Sequence, residues 1–270
     1  MNIILLSLIT LINLVFFIYI KKISKVFNVY DYPNSNRKIH KKKIPLLGGV
    51  QIIFSLGTLH LFLLLKNNMH SLYFDDNLYS FSFFFPCYIL FFIGLVDDKF
   101  TINPYLKFSL CLITVIIILN IDRSLIIKEL KFYKNFNIQL GEFSFLFTLL
   151  CFMLLINAIN LFDGVNLQVG LYFIFVILAL ISKNNFINLS VLLFIILFFF
   201  LMLNSRNKIF LGDSGAFILA FIIAYFVIKT YNQFATLDCG KIFILMFLPG
   251  VDMFRLFILR LLKKKKPFLS

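Results

Sequence analysis

Four short acidic and amide motifs interrupt long apolar runs: GLVDDKF (94–100), NAINLFDGVN (157–166), FLGDSGA (210–216) and PGVDMFR (249–255). Carboxylates near membrane depth are costly, so Asp97, Asp98, Asp163, Asp213 and Asp252 are functional candidates from the outset. Hard oxygen ligands beside lysine or arginine are what a Mg²⁺ ion carrying a diphosphate requires.

Each motif has a plainer structural reading that must be weighed. Adjacent Asp97 and Asp98 repel, and a helix cap would need only one of them, so a cation or a lysine must neutralise the pair. Lys107 is placed for this, because Pro104 opens the next helix and Lys107 falls in its first turn. Asn157 and Asn160 lie i,i+3 on one helical face, before Asp163-Gly164 breaks the helix and Asn166 follows in the turn. Capping accounts for some of these groups, but three amides and an acid within ten residues exceed that need. In FLGDSGA, Gly212 and Gly215 flank Asp213-Ser214 at a helix start, which suits an N-cap or a phosphate site equally. A fifth segment, DYPNSNRKIHKKKIPLLGG (31–49), places Arg37, Lys38, His40 and Lys41–Lys43 ahead of a Pro-x-x-Gly-Gly entry. A stop-transfer charge cluster is the competing reading there.

The elements that position these motifs follow from hydropathy. Of the 270 residues, 61% are hydrophobic and only 14% charged, against about 45–50% and about 25% in soluble domains. The excess collects in runs of transmembrane length, and Val191–Leu203 has no polar face at all. Nine spans are predicted, at 3–20, 48–65, 79–96, 104–121, 143–160, 167–182, 187–203, 214–230 and 241–262, with apolar mid-spans. The fold expected is an all-α polytopic membrane protein forming one domain, 1–270. The first run, Ile3–Ile20, lacks a basic n-region and a small-residue cleavage site, so it reads as a retained helix rather than a signal peptide. Segment 122–142 is too polar to span, and its alternation around Lys134-Asn135 predicts a small β-hairpin.

Eighteen Lys and Arg fall in the odd-numbered loops and their helix ends, and eight in the even ones. That asymmetry puts the odd loops, with all four motifs, in the cytoplasm and the N-terminus outside. Acids on the other side, among them Asp122, read as ordinary solvated loop residues, and Lys229 is counted with the even loops. A net charge of +14 on a soluble protein would suggest nucleic acid. Here the charge sits at helix ends, so topology, lipid headgroups and an anionic substrate explain it and no nucleic acid is expected. The four cysteines lack CxxC spacing and read as buried small residues.

Together these segments resemble the polyprenyl-phosphate N-acetylhexosamine-1-phosphate transferase family, within glycosyltransferase family 4. The elements that carry the resemblance run in the family's order: D-x-P…RK-x-H-x₄-P-x₂-GG, GLVDD with Lys107 nine residues on, NAINLFDG, FLGDSG, and PGVD…PF. The first loop is similar to the branch that uses UDP-N-acetylglucosamine and undecaprenyl phosphate. The resemblance implies a multi-pass enzyme of the bacterial inner membrane, active on its cytoplasmic face, that transfers a sugar-1-phosphate from a UDP-sugar to polyprenyl phosphate and releases UMP.

It further implies Mg²⁺, with Mn²⁺ as the alternative, held by Asp213 and Asn160. Asp97 and Asp98 would line the metal and lipid-phosphate site, with Asp97 as a candidate base, and Lys107 would hold a diphosphate oxygen. Asp163 and Asn166 would orient the nucleotide or its loop, Asn157 would border it, and Lys38 and His40 would stand at the phosphate entrance. Homodimerisation is left open. The sequence departs from the family in having three residues between Pro33 and Arg37 rather than two, and no glycine after Asn166. The family's D-x-x-H-x-H-H segment, which follows Pro267-Phe268, is not among these 270 residues. A protein shorter than the family at its C-terminal end, acting only as an interaction partner, is therefore an alternative expectation. A transporter is the rival class, although its sites usually lie near the bilayer midplane.

Overall fold

The computed structural model describes residues 3–33, 42–66, 73–74, 77–132, 136–181, 186–233 and 237–262. Among them are nine α-helices: α1 (Ile3–Phe27), α2 (Gly48–Leu65), α3 (Asn77–Phe100), α4 (Pro104–Ile121), α5 (Ser144–Phe162), α6 (Gln168–Ile181), α7 (Ile187–Asn204), α8 (Gly212–Gln233) and α9 (Cys239–Leu262). Eight are long and apolar enough to cross a membrane. The ninth, α6, is a shorter apolar helix whose 14 described residues rise about 21 Å, and residues 182–185 beyond it lie outside the described residues. Its start is delayed to Gln168 because residues 163–167 are spent on a loop that ends in Leu167 at φ +69°.

Helix α8 forms the axis of the bundle and is buried along its whole length against α2, α3, α5 and α6. Between Gly215 and Ile228 it is apolar all round, as a helix in such a place must be. Edge-on aromatic packing, such as Phe83 on Tyr225 at 5.3 Å between ring centres, fills the contact between α3 and α8. Helix α1 buries the stripe Leu5, Ile9, Asn13, Phe16, Ile20 and Ser24, and leaves apolar residues such as Ile3, Leu11, Val15 and Ile18 exposed.

That stripe corrects the picture of wholly apolar mid-spans. Asn13 Nδ2 donates to Ser55 Oγ at 3.0 Å, and Gln51 Nε2 donates to Asn13 Oδ1 at 2.8 Å. Such amide clasps hold helices together where hydrophobic segregation gives no preference among apolar neighbours.

Two short ladders flank the bundle. Strand β1 (Tyr30–Asp31) pairs antiparallel with β2 (Ile44–Pro45), so the basic loop leaves and returns at a fixed point. Strands β3 (Glu129–Lys131) and β4 (Asn137–Gln139) form the expected hairpin, whose turn at 133–135 lies outside the described residues.

Asp122 and Lys229 are not solvated. Each is 1% exposed, and Lys229 Nζ lies 2.9 Å from Asp122 Oδ2. Ser82 Oγ donates to the same carboxylate at 2.7 Å, and the ammonium stands 3.4 Å from the centre of the Tyr79 ring. Burial alone would raise the Asp122 carboxyl, but hydrogen bonds from Ser124, Lys229 and Ser82 hold it below its ordinary value. Hydropathy puts both residues at segment ends, whereas the close packing of α3, α4 and α8 encloses those ends.

Candidate functional site

The site is built where the start of α8 meets α2 and α3, and glycine makes that meeting possible. A Cβ on Gly94 would stand 2.3 Å from Ser214 Cα, and one on Gly49 would stand 2.5 Å from Gly215 N. Side groups at either position would push the helices apart. Gly212 takes φ +74°, where a Cβ would also fall 2.6 Å from Asp98 Oδ2. The backbone entering α8 is tied to the backbone entering α2: Phe210 N–H donates to Pro45 C=O, and Gly48 and Gly49 N–H donate to Phe210 and Leu211 C=O, at 2.9–3.1 Å.

The Asp97-Asp98 doublet is relieved by pointing its two carboxylates at different partners. Helix α3 runs on to Phe100, so both acids lie within it rather than beyond its end. Asp98 caps α8 from another helix, with Oδ1 accepting from Asp213 N–H at 2.8 Å and Oδ2 accepting from Ser214 N–H at 3.2 Å and Ser214 Oγ at 2.9 Å. These are free donors of a first turn, and a carboxylate suits the positive end of the helix dipole. Asp97 Oδ1 accepts from Ile102 N–H at 2.7 Å, and its Oδ2 from Lys107 Nζ at 2.8 Å. Lys107 also donates to Asp213 Oδ2 at 2.7 Å, so one ammonium neutralises two acids from different helices. Asn103 caps α4 through Tyr105 N–H, and Pro104 opens the turn that presents Lys107, as the spacing predicts.

In front of this framework lies a cleft of about 970 Å³. Asp98, Asp163, Asn166 and Asp213, which are far apart in sequence, all line it. Asp163 caps the C-terminus of α5, and burial, with the Asp98 carboxylate near it, raises its carboxyl to about 7. The lining also carries Lys42, Lys43, Arg206 and Lys208, a balance suited to an anionic ligand that itself meets carboxylates through a cation.

Asn204 and Asn207 also line the cleft, and neither stands out from the sequence. Arg206 and Lys208 carry only a topology signal at that level. The clue to all four is the polar run NSRNK (204–208) set between an apolar helix and FLGDSGA.

Other candidates stand elsewhere. Asn157 Nδ2 donates to Met153 C=O at 2.7 Å, within its own helix. Asp252 pairs with Arg255 at 2.7 Å on α9, away from the cleft lining. Lys38 and His40 lie outside the described residues.

The donor chemistry fits a Mg²⁺ ion. Asn160 Oδ1 is buried with no hydrogen-bond partner, an oxygen of the type such an ion would satisfy, although Asn160 is not among the residues that line the cleft. Among the described residues no three His, Cys, Asp or Glu side chains form a closed cage. Mg²⁺ does not need one, since it commonly takes one or two carboxylates and completes its shell with waters and substrate phosphates.

A multi-pass helical membrane protein is thus defined, with a cleft of mixed charge at one end of its central helix. The sequence profile described as Glycosyl transferase family 4 matches residues 80–231, more than half of the chain, and the chain belongs to that family. It is 28% identical over 252 residues to the undecaprenyl-phosphate alpha-N-acetylglucosaminyl 1-phosphate transferase of Pasteurella multocida (strain Pm70), covering 88% of this chain and 67% of that one. The probable undecaprenyl-phosphate N-acetylglucosaminyl 1-phosphate transferase of Bacillus subtilis (strain 168) is 26% identical, over 86% of this chain and 64% of its own length. The Escherichia coli (strain K12) protein named as in Pasteurella is 25% identical, over 88% and 65%. The chain spans about two thirds of the length of these curated relatives.

Proposed function

We propose that this protein transfers N-acetylglucosamine-1-phosphate from a UDP-sugar to undecaprenyl phosphate, in the inner membrane with the cleft facing the cytoplasm and the N-terminus outside. The observation that carries the reading is the meeting of Asp98, Asp163 and Asp213 with Lys42, Lys43, Arg206 and Lys208 in one cleft. The names of the relatives supply the substrates.

A lipid phosphate oxygen would attack the sugar-bearing phosphorus, forming one P–O bond while the bond to the bridging oxygen breaks and UMP leaves. The second pKa of a phosphate monoester is about 6, so the attacking group is largely dianionic at neutral pH and no base need remove a proton. Phosphoryl transfer then asks mainly for positioning and charge neutralisation. Lys42, Lys43, Arg206 and Lys208 would hold the diphosphate. Lys107 holds Asp213 in place, and Asp98 keeps the first turn of α8 against α3. Asp213, Asp163 and Asn160 would hold Mg²⁺, which when bound supplies the neutralisation of diphosphate charge that amino-acid groups alone leave incomplete.

The test is UMP release from UDP-N-acetylglucosamine and undecaprenyl phosphate by the full-length protein in nanodiscs, titrated with Mg²⁺. Asp213→Asn should raise the Mg²⁺ requirement at least tenfold with little change in unfolding temperature. Unchanged rate and unchanged Mg²⁺ requirement would end the metal assignment, and a wild-type protein that releases no UMP would end the reaction.

A further inference from the structure

We infer that Asn204 is a positioning residue that locks the loop carrying Asp163 to the segment entering α8, and that turnover depends on this lock. The inference rests on the transfer reaction proposed above, yet it concerns a residue outside every motif that suggested it.

Asn204 is the last residue of α7 and is 3% exposed. Its Oδ1 accepts from Leu167 N–H at 2.7 Å, and its Nδ2 donates to Ile209 C=O at 2.9 Å. A single amide therefore satisfies a backbone donor of one loop and a backbone acceptor of another, where leaving either unpaired in a buried setting is costly. Leu167 sits at φ +69°, a conformation that leucine rarely adopts, so the turn after Asp163 needs an outside hold. Asn204 supplies it. At the rim, Asn166 Nδ2 donates to Asn207 Oδ1 and ties the same two loops a second time. One loop bears Asp163; the other runs from Ile209 through Leu211 to Gly212-Asp213. Both acids line the cleft, so their relative position is set by these ties and by the α3–α8 contact.

The chemistry selects asparagine. Alanine makes neither bond, and an ionised aspartate has two acceptors and no donor for Ile209 C=O.

The experiment compares Asn204→Ala and Asn204→Asp with wild type, each full-length in nanodiscs. Hydrogen exchange is followed in segments 163–168 and 205–211, with 94–100 as reference. Turnover is read as UMP release from UDP-N-acetylglucosamine and undecaprenyl phosphate. Both variants should exchange faster in the two loops together, with the reference segment unchanged, and kcat should fall about 10- to 100-fold, the range expected when reacting groups are displaced by about 1 Å. A rescue separates positioning from general destabilisation. In the Asn204→Ala background, cysteines placed at 166 and 207 should regain at least fivefold in kcat when oxidised to a disulfide, relative to the same protein reduced. Unchanged exchange in either loop, or kcat within twofold of wild type in both variants, overturns the inference. So does faster exchange everywhere with no rescue on oxidation, which would leave Asn204 a stability residue only. If wild type releases no UMP, the proposed reaction fails and the dependence of turnover fails with it; the lock is then judged on exchange alone.

Discussion

Replacing Gly94 by alanine should damage the site without altering any of its functional groups. The new Cβ would lie 2.3 Å from Ser214 Cα, 2.4 Å from Ser214 N and 2.6 Å from Asp213 C. All three atoms are backbone, so no rotamer change relieves the overlap. Restoring an ordinary contact of 3.4 Å means moving the first turn of α8 about 1 Å from α3. That movement strains the Asp98 bonds to Asp213 and Ser214 N–H, and it draws Asp213 away from Lys107 Nζ, now at 2.7 Å. Overpacking of this kind costs about 1–3 kcal/mol in stability. A displacement of about 1 Å at reacting groups costs about 100-fold in turnover. Gly57→Ala is the control, because its Cβ would meet only Tyr88 Oη at 3.8 Å while the gain in helix propensity is the same. Unfolding is followed with a thiol-reactive fluorophore, since Cys87 and Cys111 are buried and free, and turnover is followed as UMP release. Gly94→Ala with the turnover and unfolding temperature of Gly57→Ala would show that the close approach of α3 and α8 does not hold the site.

Three further outcomes are expected. Lys229→Met alone should destabilise the protein by about 3–5 kcal/mol by leaving Asp122 buried and unpaired, and Asp122→Asn with Lys229→Met should recover most of that in the same unfolding assay. Equal loss in the single and double variants would mean that the pair is not coupled. Asp163 ionises at about 7 in the folded protein against an ordinary 3.8, so its charged form is disfavoured by folding, and the resulting penalty is absent below about pH 4, grows through the interval and is complete above about pH 7. Asp163→Asn should therefore raise the unfolding temperature at pH 8 and leave it nearly unchanged at pH 4, and a shift independent of pH would contradict the burial of the carboxyl. For orientation, a cysteine at Asn137 should react with an impermeant thiol reagent on intact cells and one at Ser205 only after the membrane is opened; the reverse would place the cleft outside.

Much of the architecture was legible in the sequence because hydropathy and turn chemistry are local properties. Apolar runs located eight membrane-length helices, Asn103-Pro104 marked the start of α4, and the alternation before and after Lys134-Asn135 marked a hairpin. The acidic and amide motifs were legible for the same reason, since an aspartate beside an apolar run is conspicuous wherever the backbone goes. Partnership was not legible. Asp97 and Asp98 look alike in sequence, but one turns to Lys107 and the other to the first turn of α8, 115 residues away. Lys229 and Asp122 looked like loop charges, and packing made them a buried pair. Asn204 looked like the polar end of a helix, and the fold gave it two backbone partners in separate loops. Composition and spacing determined which residues were chemically eligible. Only the tertiary structure decided which of them meet, because a hydrogen bond is settled within about 3 Å, and that distance exists only once glycines let the helices close.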